Sequence, residues 1–422
     1  MKVQYIFLSV LLVIAGVGYL YTMAPTVSFW DCGEYIAVSY ALGVPHPPGT
    51  PFFVIFGRVW VLLFKVISII LPISKEVAWQ MNLTAVISSL ISLGFVYVIT
   101  LKLIRRWRAD DGSIIPYVGA FAGCLSLAFG YTFWDNALET EMYAPATAIL
   151  LLITYLGLRW HEGYERRVSR NRLILFIFYL VFLSTGIHLA PFLAVVPLYL
   201  YLFVIERKLL RDFHLWLVGI FVVLGFFAVY IASDQLFWPS VVLLSLLCLV
   251  VLFTNVTYPE RYKNSLLFWV GVLVVVIGFS SELFLIIRAS TLTKQYKAKV
   301  EAVSRINECD PRTAKAFYDV LHRKQYGPMH ILPRKTQLET NMNVVQGYFE
   351  QLKMYIRYFS WQFVAEKTSL LLRVLLLSIF YFMGFWGIYQ HLKKDKRTFL
   401  FIFLLFFLTS IGMMTYLNLK YS

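Results

Sequence analysis

The sequence predicts an all-α polytopic membrane protein with about eleven transmembrane helices. Three observations carry that reading. Apolar stretches long enough to cross a bilayer recur from end to end. Hydrophobic residues make up 59% of the chain and charged ones only 14%, more apolar surface than a soluble fold can hide. Lys and Arg gather in short clusters between the apolar stretches, where orientation signals belong. The net charge of +15 is thereby accounted for, and no nucleic-acid partner is expected.

The apolar runs fall near residues 3–22, 51–71, 80–104, 114–133, 143–158, 173–205, 214–233, 239–254, 265–287, 369–390 and 398–417. The first lacks a small-x-small cleavage site and is read as a retained helix rather than a signal peptide. The run 173–205 is flanked on both sides by Arg clusters, Arg166 to Arg172 before it and Arg207 to Arg211 after it. It should therefore cross twice, as two short passes with a turn near Gly186 and Pro191. The run 51–71 carries Arg58 and Lys65, and a charge at mid-bilayer costs roughly 2.5–3.5 kcal/mol. Placing this run in the outer interface gathers the short-loop clusters around Lys2, Arg105, Arg166, Lys208, Lys263 and Lys394 on one side. Only Arg58, Lys65, Lys75 and Lys420 are left on the other. The positive-inside rule then gives eleven spans, N-terminus cytoplasmic and C-terminus outside. Residues 1–287 form the membrane core. Residues 288–368 form an extracytoplasmic segment of two or three short helices, and 369–422 hold the last spans.

That topology uses basic residues alone, so the acidic ones test it independently. The first outer loop holds Asp31, Glu34 and Tyr35, then Pro45-His46-Pro47-Pro48-Gly49; the second holds Asp135, Glu139 and Glu141; the turn after the first half of 173–205 holds His188. Carboxylates ringed by Trp and Tyr at the water–lipid boundary suit polar chemistry on a lipid-linked substrate. On a helix Asp31 and Glu34 share a face at i, i+3. One could deprotonate a hydroxyl while the other orients it; a plain interfacial anchor is the alternative. Glu139 and Glu141 at i, i+2 would diverge on a regular helix and serve one site only if the loop is irregular. His46 reads equally as a rigid turn, and His188 as a packing histidine. Cys32 and Cys309 lie in polar segments, which leaves a disulfide between them open. There is no CxxC pair and no metal-ligand spacing, so no metal is indicated, although a divalent ion is compatible with the acidic loops. No phosphate-binding Gly-rich loop or dinucleotide fingerprint occurs, so a transferase here would need a donor delivered in the membrane. The Asn-x-Ser/Thr matches at Asn82 and Asn255 sit in or beside spans and are uninformative.

The stretch 26–58, TVSFWDCGEYIAVSYALGVPHPPGTPFFVIFGR, resembles the opening signature of a GT-C-type membrane glycosyltransferase family that contains the vertebrate transmembrane protein 260 O-mannosyltransferase. FWDNALETEMYA at 133–144, STGIHL at 184–189, INECDP at 306–311, RKQYG at 323–327, YIRYFSWQFV at 355–364 and TYLN at 415–418 are also similar. The resemblance implies a GT-C-like fold with interfacial helices in the first outer loop and a polyprenyl-phosphate sugar as donor. It also implies Asp31 as base, Glu34 as second acid and His46 in the matching His-Pro-Pro. Many relatives continue well beyond the point where this chain stops, so the resemblance implies a short form.

The reading is an inverting glycosyltransferase of a bacterial inner membrane, moving a sugar to a hydroxyl, in particular Ser or Thr of a secreted or periplasmic protein. Arg58, Arg288 and Arg357 are candidates for holding the phosphate, and membrane lipids are obligatory partners. The rivals are a transporter or flippase of lipid-linked sugars, for which Glu282 speaks, and a non-catalytic subunit of a membrane complex.

Overall fold

The computed structural model describes residues 2–71, 76–107, 112–166, 171–211, 213–230, 234–257, 262–297, 306–327, 332–335 and 342–418. Lys75, Lys420 and the 167–170 part of the Arg cluster, all used in the charge count, lie outside them. The regular structure among the described residues is helical, with one isolated parallel bridge, Val44 to Asn307. In chain order the helices are α1 (Lys2–Thr22), α2 (Cys32–Ala41), α3 (Pro51–Ile70), α4 (Val77–Trp107), α5 (Ile115–Ala128), α6 (Tyr131–Leu138), α7 (Tyr143–Glu165), α8 (Asn171–Thr185), α9 (Val195–Ile205), α10 (Phe213–Tyr230), α11 (Asp234–Thr257), α12 (Tyr262–Phe279), α13 (Leu283–Lys297), α14 (Ala314–Leu321), α15 (Val344–Trp361), α16 (Leu370–Lys394), α17 (Lys396–Phe407) and α18 (Met413–Tyr416). The fold is thus an all-α polytopic membrane architecture.

Among the described residues eight helices are long and apolar enough to cross a membrane, or nine if α5 and α6, bent by 66°, count as one broken span. Three shorter apolar helices, Arg172–Thr185, Ala190–Ile205 and Leu215–Tyr230, add to these. The run 173–205 is broken where the flanking arginines require it: α8 ends at Thr185 and the chain resumes at Ala190 as a single 3-10 turn leading into α9. Helix α3 passes the same length and composition test with Arg58 and Lys65 in its sequence. The most apolar stretch of α16 has none of its residues buried within the protein, the behaviour of a helix whose solvent is lipid.

The chain divides into two compact units. One comprises Met1–Met23, Ala85–Leu138 and Pro328–Ser422. Its core packs Leu11 against Tyr97, Leu101, Ala120 and Cys124; Tyr19 donates to the Ala128 carbonyl at 2.8 Å, and Arg106 pairs with Asp395 at 2.7 Å. The other comprises Ala24–Thr84 and Glu139–Gly327. There Cys32, Tyr35, Ile36 and Val38 of α2 bury themselves against Phe53, Val54 and Val61 of α3, Met81 of α4, Met142 and Ile187. This apolar platform brings together segments far apart in sequence, and every candidate side chain except Arg357 belongs to this unit.

Candidate active site

The site is built on α2. Trp30 takes a left-handed backbone, φ 57°, which an L-residue adopts only at a cost, and Asp31 follows as the residue that opens the helix. Glu34 falls in the first turn, where the helix dipole favours an anion. At the other end Leu42 is left-handed, φ 51°, and the chain doubles back. Val44 is pinned by its N–H to the Ile306 carbonyl, 2.9 Å, and by its carbonyl accepting from Glu308, 3.0 Å. Gly49 at φ +91° presses on Leu285; a Cβ there would meet Leu285 Cδ2 at 2.7 Å, so the turn can pass only with glycine.

This returning turn sets His46 over Glu34. The Glu34 carboxylate accepts from the His46 backbone N–H at 2.7 Å and from Nδ1 at 2.6 Å. With Nδ1 carrying a proton to Glu34, Nε2 is aimed at Asp31, 3.8 Å from Oδ2, with the Tyr35 hydroxyl at 3.5 Å. The hydrogen bond to Glu34 raises the His46 pKa above its ordinary value, against the opposing effect of burial; the charges of Glu34, Asp31 and Glu308 add to the rise. Burial pushes the Glu34 carboxyl up, but its bonds to His46 more than offset this and hold it below the usual range. The result is a half-buried histidine–carboxylate pair beside a half-exposed carboxylate, since the Asp31 side chain is 55% exposed. Burial and the charges of Glu141, Asp31 and Glu34 keep Tyr35 a neutral phenol.

The second acidic loop reaches the same place. Thr140 is fully buried and Glu141 is 7% exposed. Burial, reinforced by the charges of Asp31 and Glu139, pushes Glu141 up to about 7. The loop is irregular here, between α6 and α7, and the charges of both Glu139 and Glu141 bear on Cys32. His188 follows α8 in the broken run. Gly186 lies so close to α3 that a Cβ would meet Phe52 at 2.8 Å and Ser281 at 2.7 Å, and its carbonyl accepts from Phe53 at 3.0 Å. The His188 ring meets Tyr143 edge-on, with centroids 5.4 Å apart. Its Nδ1 accepts from Ala190 N–H at 3.1 Å. Burial, with the Arg323 charge, drops its pKa to about 4, which makes it a neutral imidazole presenting Nε2–H.

One ligand atom each from Asp31, Glu34 and His46 lies within 4.8 Å of the others, so a divalent ion could sit there. Glu34 already accepts twice from His46, so an ion would be held by Asp31 and, only with the ring neutral, by Nε2 of His46. The three arginines fall elsewhere. Arg58 donates to the Tyr40 carbonyl and Arg288 to those of Leu42 and Ala41, so both meet at the C-terminal end of α2. That helix is ten residues long, which sets them about 15 Å along it from Asp31 at 1.5 Å rise per residue. Arg357 belongs to the other unit and pairs with Glu366 at 2.6 Å. Cys32 and Cys309 are free thiols, one buried and one exposed, so no disulfide joins them; Cys32 is instead buried where α2 meets α4. Sequence reasoning missed Asn82, Glu308 and Arg323 as site residues. The last two lie in INECDP and RKQYG, stretches noted for their similarity but not weighed residue by residue.

Residues 31–211 match the family described as the Protein O-mannosyl-transferase TMEM260 N-terminal domain. The similarity read from the motifs is borne out within these residues, which hold most of the 26–58 stretch and the motifs at 133–144 and 184–189. A stretch of 145 residues, 34% of the chain, is 27% identical to the Protein O-mannosyl-transferase tmem260 of Dictyostelium discoideum and covers 15% of that protein. The chain thus matches a small part of that TMEM260 relative's length. No solved structure matches. The matched region contains Asp31, Glu34, His46, Glu139, Glu141 and His188.

Proposed function

We propose that the chain is a GT-C-type glycosyltransferase that moves a sugar from a polyprenyl-phosphate carrier to a hydroxyl, in particular protein Ser or Thr, on the extracytoplasmic face of the membrane. The observation that carries this reading is Asp31, a half-exposed carboxylate beside a histidine that Glu34 holds in one orientation. In the proposed step the acceptor O–H gives its proton to Asp31 and its oxygen attacks the anomeric carbon. The bond from that carbon to the phosphate oxygen breaks, and the electron pair leaves with the phosphate. A phosphate departs without strong acid catalysis, so one base and charge neutralisation suffice. The reading gives Glu34 the task of orienting His46, rather than that of a second acid. It gives Arg323, whose charge bears on Tyr143 and His188, the departing phosphate. It keeps α3 at the outer interface on the charge argument.

Asp31→Asn keeps shape and hydrogen bonding but removes the base. Transfer from a polyprenyl-phosphate sugar should fall by roughly 10²-fold or more at unchanged expression. Near-normal turnover in that variant would take Asp31 out of the mechanism. A second reading, transport of lipid-linked sugars, is favoured by Glu282: it is a carboxyl buried in the Phe268–Gln295 span, with the Tyr230 hydroxyl donating to its Oε1 at 2.9 Å. Sugar-lipid movement across vesicles that survives Asp31→Asn but not Glu282→Gln would select it.

A further inference from the structure

Asn82 lies in the first turns of α4 and is fully buried. Its Nδ2 donates to the carbonyls of Ala24, 2.8 Å, and Thr26, 3.0 Å. Its Oδ1 accepts from the Thr140 N–H at 2.9 Å and the Thr140 hydroxyl at 2.7 Å, with the Cys32 thiol at 3.8 Å. A carboxamide has two donor hydrogens and two acceptor lone pairs, and here all are spent. The donors hold the chain that leads into Asp31, and the acceptors hold the residue between Glu139 and Glu141. One side chain thus ties the two acidic loops to each other.

We propose that Asn82 is a positioning residue for the acidic site, a clasp that fixes how closely the Asp31 loop and the Glu141 loop approach. The need for one follows from charge. Glu141 is faced by the carboxylates of Asp31 and Glu139, by the His46 imidazole, by the hydroxyls of Tyr35 and Tyr143 and by the Cys32 thiol. Carboxylates brought together repel, and the arrangement persists only if something fixed opposes them. A fully satisfied buried amide is suited to that, because opening it would leave Thr140 and two carbonyls without partners. The Asn-Leu-Thr match at 82–84 is therefore a structural device: its nitrogen is buried and already donates twice.

Only the rate readout rests on the transferase reading, so the test has two arms on the purified full chain in lipid nanodiscs. An infrared titration follows the protonated carboxyl band of Glu141, assigned by its loss in Glu141→Gln. In Asn82→Ala the loops part and the Asp31 charge weighs less, so the midpoint should fall by about one pH unit, equivalent to a tenfold change in proton affinity. Thr140→Val, which keeps its volume and loses one bond to Asn82, should move it the same way by less, and serves if Asn82→Ala does not fold. In the second arm, kcat should drop roughly tenfold or more with the donor KM little changed, because misplacement at the reacting centre costs rate rather than binding. A Glu141 midpoint unmoved in both folded variants would overturn the clasp. A shifted midpoint in a protein that transfers no sugar even as wild type would sustain the clasp and sink the transferase reading instead.

Discussion

The two ends of α2 carry opposite charge and do different things with it. At its first turn the helix presents Asp31 and Glu34, with His46 returned onto them by the 43–50 turn. At its last, Arg58 and Arg288 meet the carbonyls of Tyr40, Ala41 and Leu42. Each sign suits the helix dipole at that end, so dipole compensation alone would explain both. The partners separate them. The arginines spend donors on backbone carbonyls and so cap the helix. The acids spend one carboxylate on a histidine and leave Asp31 half-exposed. The hydrogen bonds of the two arginines go to backbone carbonyls of the helix end, whereas the Asp31 carboxylate stays half-exposed.

The largest effect that would break this contrast, after loss of Asp31 itself, belongs to Glu34→Gln. Glutamine can still accept from Nδ1 but no longer stabilises an imidazolium, so His46 should titrate nearer its ordinary value and transfer should fall roughly 10-fold to 10²-fold. The stability arithmetic has a definite sign. Glu34, with its pKa lowered, contributes above its unfolded value and loses that contribution as pH falls through the folded one. His46, with its pKa raised, contributes below its unfolded value and loses it as pH rises through the folded one. The pair therefore stabilises between the lowered Glu34 and raised His46 values, and Glu34→Gln should flatten that window by about 1–2 kcal/mol. Thermal melts across pH that superimpose on wild type would show the pair to be idle.

Much of this was legible in the sequence, and the parts that were not have a common cause. Arginine clusters on both sides of 173–205 showed that the run had to break, because the rule they express acts locally. The bend between α5 and α6 inside the run 114–133 was not legible: hydropathy does not register that Gly130 turns back to donate to Leu127 at 2.9 Å. At the site, the residue types and the two loops could be named from motif and side. Glu34 as holder of His46 could not, since that depends on the turn closing twelve residues into hydrogen-bond contact. Asn82 left a trace that was read too narrowly. Gln80, Asn82 and Thr84 are polar side chains at the head of an apolar run, and such residues at a membrane boundary call for a partner.

A smaller effect sharpens the acidic end further. Glu141, pushed up to about 7, is about half protonated at neutral pH, so kcat/KM should inflect near there. Glu141→Gln imitates the protonated form at every pH, so that inflection should vanish while the rate stays within a few-fold of the wild-type low-pH plateau. Because the folded pKa is raised, its contribution to stability is complete below the unfolded carboxylate value and is lost as pH rises through about 7. The variant should therefore gain on wild type in alkaline melts. An inflection that persists in Glu141→Gln would assign it to His46.

The smallest expected effect decides what the arginine end is for. Arg288→Met keeps the apolar stem of the side chain, which packs on its surroundings as the arginine's does, and removes the donors to Leu42 and Ala41. If the guanidinium is a cap, the loss is about 1 kcal/mol of stability, seen as a modestly lower melting temperature, with the donor KM and kcat within about twofold of wild type. Arg58→Met should behave alike. The two changes together should exceed their sum by a few tenths of a kcal/mol, because they serve adjacent carbonyls of one helix end. If instead this end holds the phosphate of the sugar carrier, KM for the donor should rise tenfold or more in either variant, since a charge-assisted bond to phosphate is worth more than one to a neutral carbonyl. That outcome would require the reacting sugar to bridge about 15 Å along α2, farther than a single sugar reaches. A KM rise would therefore move the catalytic centre away from Asp31, and an unchanged KM leaves the acidic end as the place where the chemistry is done.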